Sequence, residues 1–253
     1  MIGSAVSSSL DLAERVEACP LDPAPFPHVY LERAFDAATY ARLLANLPDL
    51  RHYRELSHKD AMQADGHSAR RKFYLFPEYL LFLPAGQRAV WLEVSRALRS
   101  PRLQDVFKRK FRAALERRFG RSIDRLSFFP VPMLLRDFPG YRIGIHGDSV
   151  SKAINVQFYL PADESQAHLG TVLHEGRDGD AAQRTTRLAF RPATGYAFPV
   201  IYHESWHSVM RTGPGDGERN SLMLTYYVQD RPTDWVLERL KRWWLFLIYG
   251  FRR

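Results

Sequence analysis

Residues 141–161 read YRIGIHGDSVSKAINVQFYLP. The run alternates in the manner of an extended strand, on which successive side chains point to opposite faces. His146 and Asp148, two residues apart, therefore share one side of the segment. Further along, Asn155, Gln157 and Tyr159 fall on one face while Ile154, Val156 and Phe158 fall on the other. A polar row thus runs beside the His-x-Asp pair, and if buried it demands hydrogen-bond partners.

An imidazole and a carboxylate at this spacing make two thirds of a facial metal site, so a second imidazole decides the reading. His207 stands in HESWHSV (203–209), and Arg219 and Ser221 follow in RNSLMLTYYV (219–228), another strand-like run. Two imidazoles and a carboxylate on one face leave three positions of a six-coordinate iron open, which suits a bidentate 2-oxo acid and dioxygen. His203, four residues before His207, competes for the same role, but SWHSV followed by a glycine-rich turn and Arg219 favours His207. His168 and His174 flank the Gly170-Thr171 turn and read as loop residues. Lys152 follows the pair closely enough to steer an anionic substrate, and equally fits an exposed surface cation.

A chain of 253 residues with 45% hydrophobic content is long and apolar enough for one large β-rich domain with extensions. The net charge of +8 favours acidic partners without choosing among them. The basic residues are dispersed and no base-reading module is recognisable, so nucleic acid is disfavoured. Cys19 is the only cysteine, which excludes an intramolecular disulfide and a thiolate zinc cluster and fits a reducing compartment. The first residues lack the basic and apolar regions of a signal peptide, and no apolar run approaches the ~20 residues of a membrane span. The expectation is a cytoplasmic protein, soluble or peripheral at the inner membrane surface.

Residues 1–22 are small and polar and read as a flexible tail with one helical turn near Leu10 to Val16. PFPHV leads into a short strand, Pro27 to Leu31, and Asp36 caps a helix running to Leu47. Residues 51–72, with His52, His58 and His67, are charged and aperiodic and read as a loop that could serve as a lid. Residues 91–119 read as two helices broken at Pro101 and closed by Gly120, with a basic solvated face. Eight strand-like runs punctuated by proline and glycine then follow between 126 and 230. Their spacing fits a sandwich or double-sheet jelly roll. Residues 175–187 are a charged insertion between two of the strands. The end of the chain, 231–253, reads as an amphipathic aromatic and basic helix, too short to span a bilayer; it packs back on the body, pairs copies of the chain, or lies on a membrane surface through 235–253.

In its order of strand, His146-x-Asp148, FYLP, Gly-Thr turn, His207 and Arg219-x-Ser221, the chain resembles the iron(II)- and 2-oxoglutarate-dependent dioxygenases, particularly the prolyl-hydroxylase-like branch. The resemblance covers residues 25–230 and is strongest over 133–228. It implies an α+β chain, mainly β with N-terminal helices, whose core over 126–230 is a double-stranded β-helix of the cupin-like jelly-roll type supported by helices over 36–120. It also implies iron(II) held by His146, Asp148 and His207, and 2-oxoglutarate held by Arg219, Tyr159 and Ser221, with Asn155 and Gln157 as further contacts or structural hydrogen-bonders. An arginine suits the cosubstrate because its planar fork engages a carboxylate bidentately. Dioxygen, and ascorbate as reductant, complete the implied cofactors.

The implied reaction hydroxylates an unactivated C–H bond and releases succinate and CO2; a carboxylate at Asp148, where a small residue would leave room for halide, argues against halogenation. Two other classes fit the same residues. A non-catalytic jelly-roll binding module would not depend on Arg219, and a zinc-type metallohydrolase would leave Arg219 without a purpose. The basic surface and aromatic C-terminus suit a small-molecule, glycan or lipid-linked substrate carrying negative charge.

Overall fold

The computed structural model describes residues 10–56, 61–177, 184–229 and 234–251. In chain order these form α1 (Leu12–Ala18), β1 (Val29–Leu31), α2 (Ala37–Ala45), β2 (Arg54–Glu55), β3 (Arg70–Tyr74), α3 (Pro77–Leu80), α4 (Ala85–Leu98), α5 (Pro101–Lys110) and α6 (Arg112–Phe119). The second half holds β4 (Phe128–Asp137), β5 (Ile143–His146), β6 (Lys152–Tyr159), β7 (Thr171–His174), β8 (Thr185–Leu188), β9 (Gly195–Pro199), β10 (Trp206–Val209), β11 (Arg219–Val228) and α7 (Asp234–Phe251). The strands make two antiparallel sheets. The major sheet runs β1-β9-β6-β11-β4-β3-β2 and the minor sheet β5-β10-β7-β8.

Alternation along the strands divides the interior. Ile154, Val156 and Phe158 of β6 join Leu222, Leu224 and Tyr226 of β11 in the larger core, which Trp91, Leu98, Phe107 and Leu115 of the helices cover. The opposite faces of β6 and β9 look toward the minor sheet, where Tyr159, Tyr196 and Phe198 pack with Leu173, Leu188 and Phe190. The cross-strand rows on this inner side are Asn155 beside Thr225, Gln157 beside Met223, and Tyr159 beside Ser221. Gly170 and Gly195 permit the close approaches that hold these rows. A Cβ on Gly170 would lie 2.0 Å from the Leu188 carbonyl oxygen, and one on Gly195 would lie 2.6 Å from the Phe158 ring.

The helices follow their local signals. Asp36 caps α2 by accepting from the Thr39 N–H at 2.8 Å. Ser100 caps α5 by accepting from the Leu103 N–H, and Gly120 closes α6 in the left-handed region at φ 63°. Four expectations change. The flexible tail of 1–22 contains the packed helix α1: Asp11 caps it, Leu12, Ala13 and Val16 are buried, and Arg102 and Arg109 of α5 pair with Asp11 and Glu17. Residues 1–9 lie outside the described residues. The segment 51–72 is not all loop, because Arg54–Glu55 and Arg70–Tyr74 extend the major sheet as its outermost strands; His58 lies outside the described residues. Residues 91–119 form three helices, since α4 begins at Ala85 and the buried Phe111 separates α5 from α6. Within the insertion 175–187, β8 starts at Thr185, and 178–183 lie outside the described residues.

Candidate metal centre

The two histidines of the sequence reading meet on the minor sheet. His146 ends β5 and pairs directly with His207 of β10 in antiparallel register, next to a bulge between His207 and Val209. Their ring centroids lie 4.2 Å apart. Asp148, just beyond β5, brings a carboxylate oxygen to 3.9 Å from His207 Nε2. One ligand atom from each of His146, Asp148 and His207 lies within 4.8 Å of the others, the reach of a single ion. His203 is exposed with φ 62° and stacks on Tyr202, outside this group. His168 pairs with Asp216 on the surface. His174 corrects a loop reading: it ends β7 and bonds Ser208 Oγ at 2.7 Å.

Both imidazoles are set in one tautomer by the backbone. Nδ1 of His146 donates to the Gly144 carbonyl at 3.0 Å and Nδ1 of His207 to the Ser205 carbonyl at 3.1 Å. A carbonyl only accepts, so each Nδ1 carries a proton and Nε2 is the nitrogen left to meet a metal. Burial, against the pull of Asp148, holds His207 down at about 4, so it is neutral at pH 7. Burial alone would push the Asp148 carboxyl up; the Lys152 ammonium, His207 and His146 outweigh it and hold it at about 2. Lys152 bonds one carboxylate oxygen, and Asn155 Nδ2 bonds the other at 3.0 Å. Two imidazoles oriented by the backbone and an ionised carboxylate held by Lys152 and Asn155 are the donor types that suit iron(II).

A cavity of about 420 Å³ opens on this centre. His146, Asp148, His207, Asn155 and Gln157 line it together with Tyr196, Tyr141, Arg70, Lys72 and Lys152. Among the described residues that line it, Asp148 is the only acid. Behind that wall runs a directed chain of hydrogen bonds: Tyr159 Oη to Thr171 Oγ1 at 3.0 Å, Thr171 Oγ1 to Tyr196 Oη at 3.1 Å, and Tyr196 Oη to Gln157 Oε1 at 2.6 Å. Gln157 Nε2 then donates to Ser221 Oγ at 2.7 Å. Every polar member of the row foreseen on β6 is partnered, as burial requires.

Arg219 is fully buried and does not reach the cavity wall, and neither do Tyr159 and Ser221. Of the β6 and β11 residues expected to hold a cosubstrate, Gln157 and Asn155 line the cavity. Arg219 Nη1 donates to Asp137 at 2.8 Å and Nε to the Leu169 carbonyl, while Nη2 is buried and has no hydrogen-bond partner among the described residues. Asp137 is shared. Arg70 Nε and Nη2 donate to it at 2.6 and 2.9 Å, and the Arg70 guanidinium stacks 4.0 Å from the Tyr141 ring centroid. Arg219, Asp137 and Arg70 are direct cross-strand neighbours on β11, β4 and β3. Two guanidinium groups thus share one buried carboxylate, and Arg70 is the one that faces the cavity. Sequence reasoning missed Arg70 and Asp137. The signals were an acid inside the apolar run MLLRDF and the i, i+2, i+4 series of Arg70, Lys72 and Tyr74.

With two facing antiparallel sheets and this centre between them, the structure superposes on solved oxygenases. A prolyl-4-hydroxylase from Pseudomonas putida matches with a TM-score of 0.51 at 14% identity, over 86% of this chain and 99% of that one. The fold is that of the 2-oxoglutarate and iron(II) oxygenases. An oxidoreductase of the 2OG-Fe(II) oxygenase family from Burkholderia pseudomallei shares it with a TM-score of 0.50 at 16% identity, over 79% and 84% of the two chains. A Trichoplax adhaerens prolyl hydroxylase, solved with a hypoxia-inducible-factor peptide, shares it with a TM-score of 0.50 at 11% identity, over 87% and 88%. No family model matches the sequence, and no curated protein matches it. The oxygenase fold explains the layout: helices cover the outer face of the major sheet and leave its inner face free to build a cleft with the minor sheet.

Proposed function

We propose that this protein is an iron(II)- and 2-oxoglutarate-dependent dioxygenase that hydroxylates an unactivated C–H bond of a small-molecule, glycan or lipid-linked substrate. The observation that carries the reading is the pair of imidazoles whose Nδ1 protons are committed to backbone carbonyls, with Nε2 of both left beside an ionised carboxylate. Iron(II) held by His146, Asp148 and His207, with 2-oxoglutarate, would supply dioxygen activation and the removal of hydrogen from carbon. In balance, substrate, O2 and 2-oxoglutarate give hydroxylated substrate, succinate and CO2.

The chain's own residues supply the rest. Lys152 and Asn155 fix both oxygens of Asp148, so the carboxylate presents one geometry to the ion. The cluster of two guanidinium groups on Asp137 carries one net positive charge, and the unbonded Nη2 of Arg219 is a buried donor. The far carboxylate of 2-oxoglutarate answers that charge at Arg70 on the cavity wall, with Arg219 supporting Arg70 through Asp137. Lys72 has no acidic partner among the described residues and lines the same cavity, which favours a substrate bearing negative charge. A metallohydrolase needs a second acid or base beside the triad, and the described wall offers no acid besides Asp148.

Incubation with iron(II), ascorbate, 2-oxoglutarate and O2 tests this reading through succinate release in the absence of substrate. Slow release by the native chain that disappears in Asp148→Ala is the expected result. Iron bound by the triad with no succinate and no 2-oxoglutarate binding would turn the assignment toward a binding module.

A further inference from the structure

The face that α7 turns away from the body has no partner among the described residues. Val236, Leu237, Leu240, Trp243, Trp244 and Leu247 are each between 46 and 63% exposed, while Arg242 and Phe246 face inward. Arg242 donates twice to Glu78 Oε1, at 2.9 and 2.6 Å, and lies 3.8 Å over the Phe76 ring; Phe246 stacks on Phe82. At 3.6 residues per turn the six exposed side chains fall within an arc of about 120°. Arg239, which is exposed, stands on one border of that arc. An apolar stripe of leucine and tryptophan with a cation at its border is the pattern of a helix that lies in the plane of a bilayer interface.

We propose that α7 seats the protein on an anionic lipid surface through this stripe. Charge selects that occupant over a second copy of the chain. Each copy carries +8, so pairing two α7 helices brings like charges together, whereas acidic headgroups neutralise them. The tryptophan pair suits the headgroup level, where an aromatic body and a polar N–H are both satisfied. No described helix is long and apolar enough to cross a membrane, so the contact is peripheral. The seat adjoins the cleft. Tyr74, which lines the cavity, stacks 6.2 Å from Phe76, the ring that Arg242 covers. Docking by α7 therefore holds the β3 wall of the cleft, with Arg70 and Lys72, near the lipid.

The test is sedimentation of the full chain with phosphatidylglycerol vesicles and, separately, phosphatidylcholine vesicles of the same size. Binding to the anionic vesicles that weakens with salt, and that falls by roughly tenfold or more in Trp243→Ser/Trp244→Ser, is the expected result. Both side chains are exposed, so the variant keeps the fold, which an unchanged melting curve verifies. Tryptophan quenching by brominated lipid in the native chain supplies a readout independent of any variant. Equal binding to both vesicle types, or no quenching, overturns the proposal. A dimer that the double variant dissociates, with no vesicle binding, overturns it in favour of self-association.

Discussion

The two oxygens of Asp148 are held separately, one by Lys152 and one by Asn155, and the Lys152 ammonium keeps this buried carboxylate ionised beside the neutral imidazole of His207. His207 makes the matching concession to pH. Its folded value of about 4 lies below the ordinary 6.5, so the unfolded chain binds more protons between those values. In the metal-free protein, stability should be fully present above pH 6.5 and decline as pH falls toward 4, by about 3 kcal/mol in all. Urea titrations across that range check it, and His207→Gln should flatten the slope. The shared carboxylate gives a second residue-scale expectation. Arg70→Ala should weaken 2-oxoglutarate binding by roughly 1.5–3 kcal/mol while leaving iron affinity unchanged, as calorimetry on the iron-loaded protein would show. Asp137→Ala leaves two buried guanidinium groups facing each other, so it should lower stability by about 3–5 kcal/mol. Equal melting of Asp137→Ala and the native chain would contradict the cluster as a buried ionic unit.

At the scale of elements, legibility followed periodicity. The alternation of β6 was enough to separate Asn155, Gln157 and Tyr159 from Ile154, Val156 and Phe158, and the structure puts the first set between the sheets and the second under the helices. The grouping of His146, Asp148 and His207 was legible because two lie at one strand end and the third in a strand that pairs with it. What escaped was non-local. Strand β3 is short and charged, and only its pairing with β4 shows that Arg70 belongs to the cleft. Helix α1 is a single weak amphipathic segment whose order comes from α5, which no local pattern announces. Leu12→Ala should therefore cost about 2–5 kcal/mol, the range for a buried leucine and not for a tail residue, as thermal melting would show. Gly170 is equally specific. Its substitution by alanine drives a Cβ into the Leu188 carbonyl, separating β7 from β8, and should cost about 1–3 kcal/mol.

The whole molecule divides its labour between two faces of one sheet. Apolar side chains of the outer face fasten the helices, which leaves the inner face free to carry polar groups that a buried core could not otherwise tolerate. The cleft between the sheets gathers the triad at one wall and the guanidinium of Arg70 at another, about 420 Å³ of space in which Asp148 is the only acid among the described lining residues. That division puts the proposed metal, cosubstrate and substrate within one enclosure. The most direct measurement is an anaerobic titration of metal-free protein with iron(II) and then 2-oxoglutarate, followed by visible absorption, with His207→Ala alongside. The native chain should bind one equivalent of iron and develop a weak visible band on addition of 2-oxoglutarate, and the variant should show neither. Stoichiometric iron binding with no band at saturating 2-oxoglutarate would contradict the account.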